Sequence, residues 1–195
     1  MKINEIFYSL QGEGHWTGTP AVFIRFSGCN LHCGFCDTEH NSGQELSVDE
    51  IISEASKYPT QHIIFTGGEP TLQLTRPLVD RLHQLGKYLH IETNGTLPLP
   101  DRLDETIDWI TVSPKDAPVK IQRIDELKVI FHGAGQNMAS FDALPVTHAD
   151  CRYLQPCDVN DPDSNARIIT DTIDYIKQHP QWRLSLQTHK LLGIR

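Results

Sequence analysis

Seven short runs rich in β-branched and aromatic residues recur along the chain: 21–26 (AVFIRF), 62–66 (HIIFT), 88–93 (YLHIET), 108–113 (DWITVS), 126–131 (ELKVIF), 152–156 (RYLQP) and 182–187 (WRLSLQ). Runs of this length and composition read as strands. Between several of them lie helix-like stretches, at 47–57, 72–85, roughly 137–143 and 164–178. The first opens on Ser47 with Glu50 three residues later, the pattern of a capping box. Strands alternating with helices build βαβ units and hence a mostly parallel sheet. The connection 114–125 is too short and polar for a full helix. The expected architecture is therefore α/β, an incomplete, reduced (βα)6-type partial barrel. At 195 residues the chain is long enough for a real core and is expected to form one domain, 1–195.

The bulk properties exclude several classes. Seventeen Lys plus Arg against twenty-five Asp plus Glu give a formal charge of −8, with no basic run to compensate locally. A nucleic-acid-binding surface, which draws most of its affinity from basic side chains, is not expected. The first residues, MKINEIFYSLQGEG, have no apolar signal core, and no apolar run is long enough to span a membrane. The protein is expected in the cytoplasm, where its five cysteines stay reduced. An odd cysteine count also fits a disulfide framework badly.

Three of those cysteines, Cys29, Cys33 and Cys36, fall in the run GCNLHCGFCDT. Their C-x3-C-x2-C spacing supplies three thiolates, where a closed zinc site or a fully ligated four-iron cluster takes four. A cubane held by three cysteines leaves one iron with an open position for a ligand. Three buried structural thiols are the plainer alternative, but glycine, histidine and aspartate flank Cys33 and Cys36 in place of an apolar pattern.

The other unusual residues fall at strand ends. TGGEP ends the second run, ETNG the third, SPK the fourth and QPCD the sixth. In parallel α/β folds, ligand groups gather beyond the carboxyl ends of the strands. Gly67 and Gly68 permit close approach of a ligand to the backbone, and Glu69 can meet an ammonium group. A strand-to-helix turn with Pro70 starting the helix accounts for the same residues. Ser113, Pro114 and Lys115, like Gln155, Pro156, Cys157 and Asp158, suit either ligand contact or plain turns. Glu92 and Asn94 read as a structural turn. SLQGEG (9–14) is placed before the first strand, as a ligand-touching loop or a cover for the barrel mouth. Arg25 alternates with apolar residues, so it points either into the barrel, where it needs a partner, or out to solvent. The hydroxyl of Thr38, beside Asp37, is an oxygen ligand for a hard cation such as magnesium. His189 and Lys190 lie in a tail after the last strand.

The cysteine loop, followed after about thirty residues by TGGEP, resembles the radical S-adenosylmethionine (SAM) enzymes, whose C-x3-C-x2-C loop holds a [4Fe–4S] cluster. Within that superfamily the chain resembles the 7-carboxy-7-deazaguanine synthases nearly end to end. INEIFYSLQGEG, AVFIRFSGC, CGFCDT, TGGEP, IETNGT, TVSPK, LQP and WRLSLQTHK carry the likeness. The resemblance implies a single radical SAM domain with pterin contacts from Leu10, Gln11, Gly12, Arg25, Thr66 and His189. It implies SAM contacts from Gly68, Glu69, Ser113, Pro114, Lys115, Gln155, Pro156, Cys157 and Asp158. It further implies cluster ligation by Cys29, Cys33 and Cys36, and a magnesium ligand in Thr38. No side chain is expected to be the catalyst, since the cofactor carries the radical chemistry.

The implied reaction turns 6-carboxy-5,6,7,8-tetrahydropterin into 7-carboxy-7-deazaguanine with loss of ammonia, on the route to 7-deazapurines and queuosine. The implied partners are the small-molecule pterin, an electron donor such as a flavodoxin or ferredoxin, and a second copy in a homodimer. Two other classes share features with this chain. A radical activating enzyme acting on a partner protein has the small size and the cysteine loop, but SLQGEG and QTHK disfavour it. A metal-binding module using the same three cysteines would be a colourless zinc protein.

Overall fold

The computed structural model describes residues 1–36 and 38–195, so Asp37 lies outside the described residues. Its strands are β1 (Lys2–Leu10), β2 (Pro20–Phe26), β3 (Gln44–Glu45), β4 (His62–Gly67), β5 (Tyr88–Thr93), β6 (Trp109–Val112), β7 (Glu126–Phe131), β8 (Arg152–Pro156) and β9 (Arg183–Leu184). The helices are α1 (Val48–Ala55), α2 (Arg76–Gln84), α3 (Ala139–Asp142), α4 (Pro162–Gln178) and α5 (Thr188–Leu192). All nine strands form one sheet in the order β3-β1-β2-β4-β5-β6-β7-β8-β9. From β2 to β9 every pair is parallel, whereas β1 pairs antiparallel with both β2 and β3. The ends of this order do not join, so the sheet is a partial barrel of mixed α/β class, as the alternation of runs predicts.

Period-2 alternation assigns the two faces of the sheet. On the outer face Val22, Ile24, Phe26, Ile63, Phe65, Leu89, Ile91, Val129 and Phe131 share one core with Ile51, Leu78 and Leu82 of α1 and α2, and the Phe131 ring lies 5.3 Å from Tyr175 of α4. On the inner face Phe7 and Phe23 stack at 4.9 Å beside Ala21 and Ile64. Further round, Trp109, Cys151 and Tyr153 cluster with Trp16 and Tyr88. Helix α1 carries the expected capping box: Glu50 N donates to Ser47 Oγ at 3.3 Å, and Ser47 N donates to Glu50 Oε2 at 2.8 Å. Asp161 caps α4 in the same way, accepting from Ser164 N at 2.9 Å, with Pro162 in the first turn.

Several expected boundaries move. The stretch 72–85 becomes a helix only at Arg76, because Pro70 first nucleates a 3₁₀ turn, Pro70–Leu72. Helix α4 begins two residues before the expected 164, at Pro162. WRLSLQ contributes only Arg183 and Leu184 to the sheet. SLQGEG does not precede the first strand: Ser9 and Leu10 end β1 and residues 11–14 follow it, the alternation of β1 being masked by Asn4, Glu5, Tyr8 and Ser9. In the connection 11–19, Gln11, Gly12 and Glu13 line the barrel mouth, and the distal part turns to the opposite end. Trp16 lies 5.1–5.6 Å from the rings of His62, Tyr88, His90 and Trp109, at the start of β4, β5 and β6. The loop thereby plugs the amino-terminal end of the barrel.

The tail after β9 closes the open side. Thr188 donates through both N and Oγ1 to the Gly12 carbonyl at 2.9 Å, and Arg195 pairs with Glu5 of β1. Among the described residues, no helix is long and apolar enough to cross a membrane.

Candidate active site

One groove of about 850 Å³ opens at the carboxyl ends of the parallel strands. That is in the range of ligand-binding clefts (about 300–1,000 Å³). Nearly every residue singled out from the sequence lines it: Leu10, Gln11, Gly12, Arg25, Cys29, Cys33, Cys36, Thr38, Thr66, Gly68, Ser113, Lys115, Gln155, Pro156, Cys157, Asp158 and His189. Glu69 and Pro114 are buried behind the wall.

The cysteine loop leaves β2 at Phe26 and is clamped at its base by Gly28 N donating to His40 O at 2.7 Å. Cys36 N donates to Cys33 O at 3.1 Å, turning the last two thiols toward one rim. The glycine-rich loop is stapled to this base, since Gly68 N donates to Phe26 O (3.0 Å) and Glu69 N to Gly28 O (2.8 Å). A methyl group on Gly68 would overlap the Gly28 carbonyl oxygen, so the two loops meet this closely only with glycine. Gly67, at φ 116°, has the backbone conformation that favours glycine. From β5, Asn94 Nδ2 donates to Asn30 Oδ1 at 3.0 Å, and Asn30 Nδ2 donates to Thr96 Oγ1 at 2.8 Å. The cysteine loop is therefore braced by two other strand ends.

The donors present suit an iron–sulfur cluster. Cys29 and Cys33 are half-buried and Cys36 is exposed, on one short loop at the groove rim. Leu31 N points to Cys29 Sγ at 3.4 Å, the backbone donor that cluster sulfurs ordinarily have. Burial pushes the Cys29 and Cys33 thiols up, the latter opposed by Lys115, so metal binding must displace protons. Lys115 Nζ lies 5.7 Å over the Phe35 ring, which is itself 4.8 Å from the His132 ring. These side chains wall the loop on its far side. Cys151 is buried at the other end of the barrel, its thiol raised to about 11 by burial and Asp150.

Glu69 is placed in the expected loop but faces away from the groove. Its carboxylate is fully buried and accepts from Thr71 N, Thr71 Oγ1, Thr93 Oγ1 and Asn94 N at 2.6–3.1 Å. It locks the loop to β5, which leaves the backbone of Gly67 and Gly68 to face a ligand. Lys115 donates to Ser113 Oγ at 2.8 Å, and burial, then Lys128, lowers its ammonium. Gln155 turns its side chain inward, donating to Glu13 Oε1 at 3.1 Å and accepting from Ser185 Oγ at 3.1 Å. Asp158 accepts from Asn160 N, Asn165 Nδ2 and Lys190 Nζ, which hold its carboxyl down at about 2.

Arg25 points inward and already has a partner. Its Nε donates to Glu5 Oε1 at 2.9 Å and its guanidinium lies 5.6 Å over the Phe7 ring. His189 of α5 rests on Gly12, where any Cβ would overlap its Nδ1. Thr38 is half-buried at the groove rim.

Three groups that the sequence reading missed or took for a turn complete the wall. Glu92 accepts from Gln11 Nε2 (2.9 Å) and Thr66 Oγ1 (3.1 Å), so it is no turn residue. Glu13 pairs with Lys128 and accepts from Gln187 Nε2 at 3.0 Å; burial alone would raise its carboxyl, but Lys128 and these donors bring it to about 2. Lys128, 4% exposed, also lies 3.6 Å from Glu92 Oε1. Burial disfavours its charge, and Glu13, Glu92 and Glu126 outweigh that, holding the ammonium well above its usual range. The available signal was inward alternation: Lys128 lies between Leu127 and Val129, both core residues of the outer face.

Comparison with known proteins agrees with this geometry. The model of the radical SAM superfamily matches residues 23–130. The chain is 56% identical to the 7-carboxy-7-deazaguanine synthase of Bacteroides thetaiotaomicron, over 100% of this chain and 98% of the relative. It is 43% identical to that of Burkholderia multivorans, over 98% of each. The crystal structure of QueE from Escherichia coli superposes with a TM-score of 0.74 at 29% identity, covering 95% of this chain and 92% of that one. With a groove built on three cysteines and full-length relatives of one name, the chain belongs to the 7-carboxy-7-deazaguanine synthase family of the radical SAM superfamily.

Proposed function

We propose that this chain, as one radical SAM domain spanning 1–195, converts 6-carboxy-5,6,7,8-tetrahydropterin to 7-carboxy-7-deazaguanine with loss of ammonia. The observation that carries this reading is the single groove joining the three-cysteine rim to a buried wall of hydrogen-bonding side chains. As a radical SAM protein it takes a [4Fe–4S] cluster and S-adenosylmethionine. When bound, these supply one-electron cleavage of SAM to a carbon radical that abstracts hydrogen.

Cys29, Cys33 and Cys36 would hold the cluster. The Gly67–Gly68 backbone, Ser113 to Lys115 and Gln155 to Asp158 would hold SAM, while Glu69 fixes the loop from behind. Arg25 offers a planar fork to the substrate carboxylate. Gln11, the Gly12 backbone and Thr66 face the ring, with His189 of the tail closing over Gly12 and excluding water. Thr38 would supply an oxygen ligand to magnesium beside the cluster loop. Holding the reactants in one geometry is the protein's part in such chemistry. A flavodoxin or ferredoxin as electron donor, a homodimer and a cytoplasmic location complete the reading.

The test is an anaerobic incubation of cluster-reconstituted protein with SAM, dithionite and the carboxypterin, followed by mass spectrometry. The expected result is 7-carboxy-7-deazaguanine with ammonia released. Cys33→Ala should lose the cluster absorbance and all SAM cleavage, whereas Cys151→Ala should keep both. A parent that cleaves SAM but leaves the carboxypterin untouched would exclude the substrate while keeping the superfamily.

A further inference from the structure

The inward side of β7 carries Glu126 and Lys128 in succession, on a strand whose outward residues are core. Lys128 Nζ pairs with Glu13 of the 11–19 loop and lies 3.6 Å from Glu92 of β5. Glu126 faces it from its own strand, and Lys115, beyond β6, faces it with like charge. His189 of α5 also lies beside Glu13. Both Glu13 and Glu92 line the groove, and both are fixed by amides: Gln155 and Gln187 on Glu13, Gln11 on Glu92.

We propose that Lys128 is a positioning residue: through its ion pairs with Glu13 and Glu92 it holds the two carboxylates side by side as a paired acceptor face that selects a planar heterocycle presenting adjacent N–H donors. The proposal rests on the pterin reading above, because the 2-amino-4-oxo edge of a pterin presents such donors. A buried carboxylate is driven to take a proton unless a cation lies beside it, and at Glu13 it is Lys128 that opposes the effect of burial. Were Glu13 to take a proton, it would turn a donor toward the ring's own donors and repel the substrate it should bind. Glu126, buried against Trp109 Nε1 (3.2 Å) and His15 N (3.1 Å), is raised to about 7 by burial despite Lys128. It is therefore partly neutral near pH 7, and Lys128 balances chiefly the other two.

The experiment compares the parent with Lys128→Met, Lys128→Arg, Glu126→Gln and the Lys128→Met/Glu126→Gln double variant. Each is loaded with cluster and titrated with 6-carboxypterin, the stable aromatic analogue, at about pH 6, 7.5 and 9. Cluster absorbance and substrate-free SAM cleavage serve as controls and should change little. Lys128→Met should weaken pterin binding about tenfold or more near neutral pH. Binding should recover in part toward pH 9, because losing the cation lets burial raise the Glu13 carboxyl and alkali restores that acceptor. Lys128→Arg should keep most of the affinity. The double variant should bind better than Lys128→Met toward pH 9, where Glu126 would ionise and oppose Glu13, since Glu126→Gln removes that repulsion without altering a groove-lining residue.

Parent affinity in Lys128→Met at all three pH values would overturn the proposal. So would a loss that neither pH nor the second substitution relieves, because that is damage to the fold. If Lys128→Met does not fold, the double variant against Glu126→Gln makes the same comparison, and equal affinity there overturns it. A parent that does not bind the pterin removes the substrate reading and this inference with it; a parent that binds while the variants match it removes Lys128 alone.

Discussion

Arg25 is the residue at which the ligand-free protein and the proposed complex differ most plainly in charge. Its guanidinium is satisfied by Glu5 at 2.9 Å, with Phe7 beneath it, so the inward cation is stable before substrate arrives. Glu5 in turn pairs with Arg195 of the tail. A substrate carboxylate would therefore join an existing network, and Arg25 would exchange or share its partner. Truncating one side of a buried charge pair costs about 2–5 kcal/mol of binding. Arg25→Ala should weaken carboxypterin binding by that amount with SAM cleavage retained. Arg25→Lys should restore only part, because the ammonium lacks the planar fork. Carboxypterin affinity at matched cluster loading is the measurement, and an unchanged alanine variant would confine Arg25 to its structural pair with Glu5.

Elements explain why the groove is closed on its open side by two irregular segments. The 11–19 loop and α5 meet at Gly12, where a Cβ would overlap His189 Nδ1. Gly12→Ala should push the tail off the loop, break the Thr188 bonds to the Gly12 carbonyl and raise the pterin KM severalfold. The cluster loop lies on other elements, so the cluster absorbance should persist; parent-like KM would mean the tail adapts without consequence. These segments are also where sequence reading ran out. The central parallel strands were legible because their outer faces are apolar, Ile63 and Phe65 on β4 or Leu89 and Ile91 on β5. Strand β1 was not, since one side of it meets the polar groove and Asn4, Glu5 and Ser9 break its pattern. Helix α5 is only five residues long and buries none of them, so no periodicity announces it. The cysteine, glycine-rich and strand-end motifs were legible because their spacing is itself chemical. Glu13, Glu92 and Lys128 were not, because a charge in a strand reads the same facing water or facing a polar interior, and only the closed sheet decides between them.

At the scale of the whole molecule, the buried titratable groups should set where in pH the fold is strongest. His90, 3% exposed, is lowered to about 3 by burial and the neighbouring His62. An unfolded histidine takes a proton below about 6.5, so stability falls as pH drops from there toward 3. Glu13, whose folded value is about 2, adds loss only below the unfolded carboxyl range. Glu126 has the opposite sign. Its folded value of about 7 lies above the unfolded one, so the native state holds a proton that the unfolded chain gives up. Its contribution is complete below the unfolded carboxyl value near 4.5 and declines as pH rises through about 7. His90 and Glu126 thus pull against each other in mildly acid solution, and the Glu126 contribution is spent just above neutrality. Glu126→Gln keeps an acceptor for Trp109 and His15 while removing the titration. The stability difference, variant minus parent, should therefore grow as pH rises from about 5 to 8, by at most roughly 3 kcal/mol for a shift of this size, and then level off. Urea unfolding midpoints of both proteins across that range are the measurement. A difference independent of pH would mean that Glu126 carries no raised pKa and that the floor of the barrel is wetter than its burial implies.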